Sequence, residues 1–412
     1  MTYEEKNIAL IADYIKAGEK KTSDFKLGVE IEHFIVDSGT KKSIGYLDHP
    51  GVLDVLKGLS SNYEEEVFID GALLGLKRKG SYLTLEPAAQ LEVSFDAQRD
   101  IREIEREYDS FCEEVNEVIH PMGLELATYG YHPASRIDEL ELIPKTRYMQ
   151  MAEYLPTKGR YALNMMKGTA SVQVSIDYTC EEDFKRKFRL ANCLSPFFYF
   201  ITDNSPYFEG KPVDRHMLRA RIWDEVDPDR SGIMKGALDF PFGYRDYAAA
   251  IYAKPSVVTH QNGALHYTKE IPLNELFRNG VMSQEDIDYA MGMFFPDVRV
   301  RHYIEIRMAD SLPKQYMLAY TALVKGLFYN QANTDKYLSI FSGITNKDAA
   351  RIKSDLIEKG NDAFFFGMPV CDFVLHLLED ASEALGSEAQ YLEPLRTCAR
   401  LKVHLYDMKF HE

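Results

Sequence analysis

The sequence predicts an α+β fold in which a curved, mainly antiparallel sheet carries helices on one face and leaves an open, polar face on the other. At least four segments alternate apolar and polar residues with the period of two typical of strands: 26–36, 83–95, 171–178 and 297–307. Stretches with the spacing of amphipathic helices lie between and beyond them. Because helices do not follow the strands at regular intervals, a doubly wound parallel sheet is not expected.

The helical stretches predict how the chain is organised. They cover residues 101–118, 181–202, 315–329, 347–359, 369–385 and about 388–407. Strand-like alternation fades after about residue 340, so we expect the sheet within about 25–325 and a mainly helical layer over about 340–412. No repeat or low-complexity segment separates the two regions. The sequence therefore predicts a single domain over residues 1–412.

Composition and charge restrict the class of partner. Apolar residues make up 45% and charged residues 27% of the chain, as in ordinary globular proteins, and the formal net charge is −16. Excess negative charge argues against nucleic acid or an anionic membrane surface as a partner. The most apolar run, LSPFFYFIT from Leu194, is too short to cross a bilayer.

The N-terminal and cysteine patterns concern the cell compartment. The first twenty residues lack the basic stretch and apolar core of a signal peptide. The five cysteines show no CxxC spacing and their number is odd, so we expect reduced thiols rather than disulfides or a zinc site. These patterns predict a cytoplasmic protein.

The first strand-like segment, GVEIEHF at 28–34, places two carboxylates together. Glu30 and Glu32 lie on one face, about 7 Å apart along the strand. Two like charges this close are unfavourable unless a cation or arginines lie between them. His33 falls on the opposite, apolar face, where we expect a hydrogen-bonded core histidine rather than a ligand.

Polar groups also share one face of the next two segments. In LEPAAQLEVS at 85–94, Gln90 and Glu92 lie on the same face. Pro87 removes a backbone donor and bends the chain, which can set Glu86 beside that face. In SVQVSIDY at 171–178, Gln173 lies on the polar face, opposite valine and isoleucine.

The fourth segment, RVRHYIEIRMAD at 299–310, concentrates arginine on one face. Read as one continuous strand, it aligns Arg299, Arg301, Tyr303, Glu305 and Arg307. Threonine or tyrosine would suit a merely solvated strand face better, because Glu, Gln and Arg are poor strand formers.

Spacing alone leaves two interpretations of these four faces open. Each face could simply be solvated. Alternatively, the carboxylates bind Mg²⁺ or Mn²⁺ and the arginines bind phosphate and carboxylate groups, so that the sheet supports phosphoryl chemistry on an anionic substrate. The chain lacks the P-loop, GxGxxG, HExxH and GxSxG motifs, so a bound nucleotide would lie on the sheet itself.

Five motifs occur in order between about residues 25 and 325. They are GVEIEHF at 28–34, LEPAAQLEVS at 85–94, the block at 147–178 that ends in SVQVSIDY, RARIWDEVDPDRSG at 219–232, and VRVRHYIEIRMAD at 298–310. Together they resemble the glutamate–cysteine ligases of the plant and proteobacterial type. That family belongs to the carboxylate–amine ligase superfamily, with glutamine synthetase and the guanidino kinases.

The resemblance implies an activity. Enzymes of this family join the γ-carboxylate of glutamate to the amine of cysteine and split ATP to ADP and phosphate with magnesium (manganese is also possible). A γ-glutamyl phosphate is the intermediate, and the reaction opens glutathione biosynthesis. The implied partners are these small molecules, with the protein a monomer or homodimer. Two alternatives remain: a ligase that uses another amine, and a non-catalytic ligand-binding homologue.

The resemblance also implies roles for individual residues. The implied metal ligands are Glu30, Glu32, Glu86, Glu92 and Glu305. The implied catalytic residues are Glu305, Arg307 and Arg299. The implied substrate-binding residues are Arg219, Arg221, Trp223 and Arg301. The implied residues at the nucleotide or metal are Arg230 and Gln173.

Other roles remain open for some of these residues. Trp223 could pack in the core, Arg230 could belong to a capped turn, and Arg299 and Arg301 could pair with acidic neighbours. Two positions also depart from the family pattern. Ala88–Ala89 stands where two glycines are usual, and Arg221 stands where a smaller or imidazole side chain is common. The second departure could change which acceptor carboxylate or amine is bound.

Overall fold

One large antiparallel sheet organises the part of the chain that this computed structural model describes, residues 1–239, 241–261 and 264–408. In chain order the strands are β1 (Leu27–Asp37), β2 (Glu65–Ile69), β3 (Ala72–Arg78), β4 (Ser81–Leu85), β5 (Leu91–Phe95), β6 (Leu124–Ala127), β7 (Ser171–Ile176), β8 (Tyr207–Phe208), β9 (Lys211–Pro212), β10 (Ser231–Gly232), β11 (Pro255–Gln261), β12 (Ala264–Pro272), β13 (Phe295–Pro296), β14 (Val298–Val300), β15 (Ile304–Asp310), β16 (Phe364–Phe365) and β17 (Met368–Pro369). The main sheet has nine strands in the order β14-β15-β7-β1-β5-β4-β3-β2, with β6 paired to β1.

Fifteen helices lie between and beyond these strands in the described residues, and several of them pack on the apolar face of the sheet. They are α1 (Tyr3–Lys16), α2 (Val52–Leu59), α3 (Ile101–Ile119), α4 (Thr146–Tyr154), α5 (Ala162–Gly168), α6 (Glu181–Ile201), α7 (Leu218–Trp223), α8 (Tyr244–Tyr252), α9 (Leu273–Leu276), α10 (Gln284–Met291), α11 (Lys314–Phe328), α12 (Gln331–Ile340), α13 (Asn346–Lys359), α14 (Val370–Leu385) and α15 (Glu393–Leu401). Helix α6 lies against β14 and β15, α11 against β1 and β7, and α2 against β3. No helix of the described residues has the length and apolar character needed to cross a membrane.

The alternation of β1 shows why the sheet has two unlike faces. Val29 and Ile31 are buried, whereas Glu30 and Glu32, which alternate with them, are only partly buried. The same alternation continues in β4 and β5. The predicted α+β class, with a mainly antiparallel sheet, is therefore confirmed.

The segment 83–95 is a hairpin rather than one bent strand. Strand β4 ends at Leu85, β5 begins at Leu91, and these two residues face each other across the pair. Pro87 has no N–H for the ladder, and Ala89 adopts a left-handed φ of 66° that reverses the chain. The turn places Glu86 on the same side as the polar residues of β5, as the sequence predicted.

The segment 297–307 is also a hairpin, which corrects the prediction of a continuous strand. Strand β14 ends at Val300 and β15 begins at Ile304, and these residues pair. The backbone N–H of Arg301 donates to the carbonyl of Tyr303 in the turn, over 2.9 Å. Because the turn contains three residues, an odd number, odd-numbered residues of both strands remain on the same face.

Helices dominate the described chain after about residue 340, and the last of them, α15, is shorter than the predicted helix. Five of the predicted helices match α3, α6, α11, α13 and α14 to within one residue at each end. The helix predicted over 388–407 is instead a 3₁₀ helix at Gly386–Leu392, α15, and a second 3₁₀ helix at Leu405–Asp407. Gly386 ends α14 with a φ of 57°, and Lys402 ends α15 with a φ of 55°. The single-domain organisation stays a prediction.

Candidate functional site

A cavity of about 420 Å³ opens on the polar face of the sheet. Strands β14, β15, β7, β1, β5 and β4 form its floor, and α4, α5 and α7 contribute to its walls. Its charged lining residues are Glu30, Glu32, Glu86, Glu92, Lys145, Arg147, Arg219, Arg299, Arg301 and Arg307. The segments that carry the five motifs therefore meet in one place, although they are far apart in the sequence.

Strand pairing places the carboxylates side by side. Glu32 on β1 is the direct partner of Glu92 on β5, and Glu92 is in turn the partner of Thr84 on β4. Glu30 is the direct partner of Gln173 on β7. Directly opposed residues have Cβ atoms about 4.5–5.5 Å apart, where like charges are destabilising. The sheet thus brings carboxylates together at a cost in stability, which favours a role beyond packing.

Neutral groups, rather than cations, donate hydrogen bonds to two of these carboxylates. Glu92 accepts a hydrogen bond from the Thr84 hydroxyl over 2.6 Å. Glu32 accepts one from the backbone N–H of Ser171 over 2.7 Å and one from the Gln173 amide over 3.2 Å. These contacts orient the two carboxylates, but neither carboxylate accepts a hydrogen bond from a positively charged side chain of the described residues.

The acidic half of the cavity therefore retains protons. Burial raises the pKa of Glu30 to about 7, and the negative charge of Glu305 adds to this effect. Burial also raises the pKa of Glu32 to about 7, together with the charge of Glu86. Burial and Glu30 raise the pKa of Glu92 as well. A divalent cation would displace these protons, and a set of carboxylate oxygens suits Mg²⁺ or Mn²⁺.

The basic half of the cavity is built on one buried carboxylate. Arg299 donates two hydrogen bonds to Glu305, over 2.5 and 3.0 Å, and Arg307 donates a third over 2.9 Å. Arg307 also donates to the side-chain oxygen of Gln173. Glu305 is fully buried beneath the two arginines, which do line the cavity. In this structure Glu305 holds two guanidiniums, and its role as a metal ligand stays a prediction.

Several nitrogen donors on the cavity wall have no hydrogen-bond partner among the residues that the structure describes. Buried Nε atoms of Arg147, Arg219 and Arg301 and the indole N–H of Trp223 make no hydrogen bond among the described residues. Arg219 lies over the Trp223 ring, 5.5 Å from its centroid, and its Nη1 donates to the carbonyls of Arg307 and Met308. Donors of this kind suit the oxygens of carboxylates and phosphates.

Three cavity residues at the beginning of α4 were not predicted from the sequence: Lys145, which precedes the helix, and Arg147 and Tyr148 in its first turn. Lys145 lies 4.4 Å from the centroid of the Tyr148 ring, and the Tyr148 hydroxyl donates to Glu86 over 3.2 Å. Burial lowers the pKa of Lys145. Arg147 donates to the carbonyl of Gly292 over 3.0 Å. Arg147 is the first residue of the motif at 147–178, and this was the only feature of the sequence that pointed to it. Helical residues do not alternate with a period of two, so the strand pattern could not identify it.

Three predicted site residues do not line the cavity: Glu305, which lies beneath Arg299 and Arg307, and Arg221 and Arg230. Arg221 donates to Asp214 over 3.1 Å on another surface, because two helical residues differ by about 200° in direction and Arg219 faces the cavity. Arg230 is completely buried, donates to Asp227 over 2.7 Å, and also donates to the carbonyl of Pro255. The capped-turn alternative for Arg230 matches this contact. Neither Arg221 nor Arg230 lines this cavity, and their roles in binding substrate and nucleotide stay predictions.

Comparison with known sequences identifies the family. The profile of glutamate–cysteine ligase family 2 matches residues 26–358, most of the chain. The chain belongs to this family. The chloroplastic glutamate–cysteine ligase of Arabidopsis thaliana is 27% identical over 402 residues, which cover 95% of this chain and 76% of the relative. The chloroplastic ligase B of Oryza sativa subsp. japonica is 28% identical over 349 residues, 82% of this chain and 70% of the relative.

Solved structures share the glutamate–cysteine ligase fold. A glutamate–cysteine ligase of Francisella tularensis in complex with AMP matches with a TM-score of 0.55 and 11% identity, over 93% of this chain and 83% of that chain. A bifunctional glutathione synthetase of Pasteurella multocida matches with a TM-score of 0.50 and 12% identity, over 96% of this chain and 48% of that chain. These likenesses support the fold assigned above.

The comparisons confirm the resemblance and correct one expectation. The predicted family and the predicted class, a ligase, are confirmed, and neither the ligand-binding homologue nor a ligase for another amine is favoured. The expected cytoplasmic location is wrong by the same comparison, because the named relatives from Arabidopsis thaliana, Oryza sativa, Nicotiana tabacum and Brassica juncea are chloroplastic. The pattern of the first twenty residues was therefore a poor guide to the compartment.

Proposed function

We propose that the protein joins the γ-carboxylate of glutamate to the amine of cysteine, splits ATP to ADP and phosphate, and so carries out the first step of glutathione biosynthesis. The observation that supports this most directly is the division of one cavity into an acidic and a basic half. Four carboxylates from β1, β5 and the turn before β5 line the cavity together with arginines, and several of these arginines have a buried Nε that makes no hydrogen bond among the described residues. A metal–nucleotide and anionic substrates require these two environments next to each other.

Magnesium is the proposed metal, with manganese as a possible substitute. Glu30, Glu32, Glu86 and Glu92 would hold it, because all four line the cavity from the paired strands β1 and β5 and the turn before β5. When bound, the metal would neutralise the phosphate oxygens of ATP. Glu305 is better placed to anchor Arg299 and Arg307 than to join this set.

The arginines of the basic half would bind the transferred phosphoryl group. Arg307 is fixed by Glu305 and Gln173, so its planar fork is already oriented before substrate binds. Preorganised positive charge stabilises the charge that builds up on the equatorial oxygens during transfer. Arg299 adds a second guanidinium at the same edge of the sheet.

The substrate carboxylates would bind the remaining donors. Arg219 and Trp223 together present a guanidinium Nε and an indole N–H, and they would hold the α-carboxylate of glutamate. Arg147 and Arg301 both approach Gly292, and they would bind a second anionic group. The cavity would thereby position both reactants and lower the entropic cost of their reaction.

The proposed reaction has two steps. An oxygen of the glutamate γ-carboxylate attacks the terminal phosphorus of ATP, and ADP leaves. The cysteine nitrogen then attacks the acyl carbon of the γ-glutamyl phosphate, phosphate leaves, and the nitrogen loses a proton as the amide forms. The protein's residues act by orientation and charge neutralisation, with no covalent enzyme intermediate. For assembly we expect a monomer or homodimer, without nucleic acid.

Phosphate release from ATP tests this proposal. The purified protein would be assayed with Mg²⁺, glutamate and a panel of amines that includes cysteine, its thiol-free analogue α-aminobutyrate, alanine and glycine. We expect release to depend on glutamate and to be greatest with cysteine, with γ-glutamylcysteine seen by mass. Glu92→Gln should be inactive, while Glu66→Gln, on exposed strand β2 of the same sheet, should retain activity.

Three outcomes would decide against the proposal in different ways. A clear preference for another amine would retain the chemistry and change the acceptor. Phosphate release without any amine product would indicate an ATPase rather than a ligase. No release with any pair, despite ATP binding, would indicate a ligand-binding homologue.

A further inference from the structure

One strand separates the carboxylates of the cavity floor from its arginines. In the main sheet β7 lies between β1, which carries Glu30 and Glu32, and β15, which carries Glu305 and Arg307. A hydrogen-bonded link across the floor would therefore have to pass through a side chain of β7. Gln173 is the polar residue of β7 that lines the cavity with a side chain long enough to reach both neighbouring strands.

The Gln173 amide makes one contact with each half of the cavity. Its nitrogen donates a hydrogen bond to Oε1 of Glu32 over 3.2 Å, and its oxygen accepts one from Nη1 of Arg307. The same Arg307 nitrogen also donates to Glu305 over 2.9 Å. Gln173 is only 4% exposed, so water does not compete freely for the amide.

We propose that Gln173 is a positioning residue that couples metal binding at Glu32 to the guanidinium of Arg307. Through it the metal would control how firmly that arginine is held before the phosphoryl group arrives. The inference rests on the proposed function, because it takes Glu32 as a metal ligand and Arg307 as a phosphoryl-binding residue.

Two opposite charges fix the direction of the amide. A carboxamide has donors on its nitrogen and an acceptor at its oxygen. If the Gln173 amide turned by 180°, its NH₂ would face the Arg307 guanidinium and its oxygen would face the ionised Glu32 carboxylate, and both contacts would be repulsive. The observed direction satisfies both neighbours. The three side chains thus form a short chain of hydrogen bonds from a cation to a carboxylate.

A metal ion at one end of this chain changes the other end. Each hydrogen bond of a chain polarises the next and strengthens it. Negative charge on Glu32 therefore strengthens the hold of Gln173 on Arg307. A cation bound to Glu32 offsets that charge and weakens both hydrogen bonds. Arg307 then has more of its positive charge available for an anion in the cavity.

The coupling has to act in both directions. If metal at Glu32 raises the affinity of Arg307 for an anion, an anion at Arg307 raises the affinity for metal by the same factor, typically about 5–150-fold. Metal binding does not require the chain to break. Each oxygen of Glu32 accepts one hydrogen bond among the described residues, from the Gln173 amide or the Ser171 N–H, and retains a lone pair for a metal.

Binding of inorganic phosphate with and without Mg²⁺ tests the coupling without turnover. Calorimetry at about pH 8, where the metal should compete best with protons, would compare wild type, Gln173→Met and Gln90→Met. Methionine is close to glutamine in length and volume but cannot relay a hydrogen bond. Mg²⁺ should tighten phosphate binding by a factor at least about fivefold larger in wild type than in Gln173→Met.

Gln90 is the matched control. It lines the same cavity, is 2% exposed, and its hydrogen bonds among the described residues all go to backbone groups. Gln90→Met should therefore lose stability, as Gln173→Met does, because both changes leave buried polar groups without partners. It should nevertheless retain the wild-type effect of Mg²⁺ on phosphate binding.

The guanidinium groups provide a second readout. Arg299 and Arg307 both donate to Glu305, but of these two only Arg307 donates to Gln173 among the described residues. NMR of arginine-labelled protein, assigned with Arg299→Lys and Arg307→Lys, would measure how fast each guanidinium rotates. Mg²⁺ alone should speed the rotation of Arg307 and leave that of Arg299 unchanged. Because the measurement is made on wild type, it holds even if Gln173→Met does not fold.

The outcomes separate this inference from the proposed function. An equal effect of Mg²⁺ on phosphate binding in wild type and Gln173→Met would overturn the inference alone. So would unchanged rotation of Arg307 in wild-type protein whose melting temperature rises with Mg²⁺. A wild type that neither gains stability with Mg²⁺ nor releases phosphate from ATP would contradict the proposed function, and the inference with it.

Discussion

Arg299 and Glu305 lie directly opposite each other across the hairpin of β14 and β15, and the guanidinium donates two hydrogen bonds to the carboxylate. Arg307, two residues further along β15, donates to the same carboxylate. Burial alone would raise the pKa of Glu305, but Arg299 and Arg307 lower it to about 2. One permanently ionised carboxylate therefore holds two arginines in position at the cavity floor.

Glu305→Gln should reduce both stability and activity. Removing the negative charge leaves two buried guanidiniums facing each other, which should lower the free energy of unfolding by about 3 kcal/mol. Turnover should fall by at least about 100-fold, because the arginines lose their preorganisation. Urea unfolding and steady-state kinetics would measure the two effects, with Glu66→Gln as the control. Normal stability together with lost metal binding would instead support Glu305 as a metal ligand.

Stability at acid pH should follow from the same pair. The folded-state pKa of about 2 lies below the ordinary value of 4.5, so the stabilisation by Glu305 is complete above pH 4.5 and lost as the pH falls towards 2. Unfolding free energies between these pH values should fall more steeply in the wild type than in Glu305→Gln. Equal slopes for the two proteins would contradict the ion pair.

Metal binding should become tighter as pH rises through neutrality. Glu30 and Glu32 have folded-state pKa values near 7, above the ordinary 4.5, so the metal-free protein binds more protons folded than unfolded in this range. Its stability should therefore decrease as pH rises from 4.5 to 7. Mg²⁺ displaces these protons, so it should raise the melting temperature more at about pH 8 than at about pH 6.

Glu32→Gln provides the control for this dependence. It removes one of two opposed carboxylates, so the metal-free variant should be more stable than the wild type above pH 7. The same variant should show little stabilisation by Mg²⁺. If Glu32→Gln retained the full response to Mg²⁺ at about pH 8, the metal would have to bind outside this carboxylate set.

Arg219 and Arg221 should differ sharply in their effect on glutamate binding. Arg219 lines the cavity, whereas Arg221 pairs with the exposed Asp214 on another surface. Arg219→Lys should raise the KM for glutamate at least about tenfold, because an ammonium cannot reproduce the guanidinium fork. Arg221→Gln should leave KM and kcat within about twofold, as expected for an exposed pair. Equal effects of the two changes would contradict the assignment of Arg219 and α7 to the cavity.

The sequence predicted the polar faces better than the topology. Counting odd and even positions along the strands put Glu30, Glu32 and Glu92 on the polar face, where they line the cavity, because successive side chains of a β-strand point to opposite faces. The turn at 301–303 was missed, since RHY contains no glycine, asparagine or aspartate to mark it. Arg299 and Glu305 nevertheless lie on the same face, as predicted for a continuous strand, because the turn has an odd number of residues.

Residues on helices were harder to assign to the site. Lys145 immediately precedes α4 and Tyr148 lies in its first turn, and nothing in their spacing connects these cavity residues to the distant strands. A helical interpretation of RARIW would have helped, because Arg219 and Trp223 are four residues apart and share a face that excludes Arg221. The motif at 219–232 identifies this segment, but the motif alone does not show which of its side chains face the cavity.

Ala89 should tolerate replacement by glycine better than its neighbour Ala88. Both side chains are buried, at 2% and 4% exposure, so each change to glycine removes a similar amount of packed surface. Only Ala89 has a positive φ, 66°, which is costly for any residue with a Cβ. Ala89→Gly should therefore be more stable than Ala88→Gly by about 1 kcal/mol in urea unfolding.

This comparison also tests how the loop supports the acidic half of the cavity. The Ala89 N–H donates to the Glu86 carbonyl over 2.9 Å, so the strained turn lies directly beside a proposed metal ligand. Ala89→Gly should relieve this strain and leave the Mg²⁺ dependence unchanged. The two glycines that are usual in the family at these positions can adopt the same backbone conformation. If Ala89→Gly were the less stable variant, the left-handed backbone at this position would be contradicted. If it were the more stable one and lost its Mg²⁺ response, the methyl group itself would position Glu86.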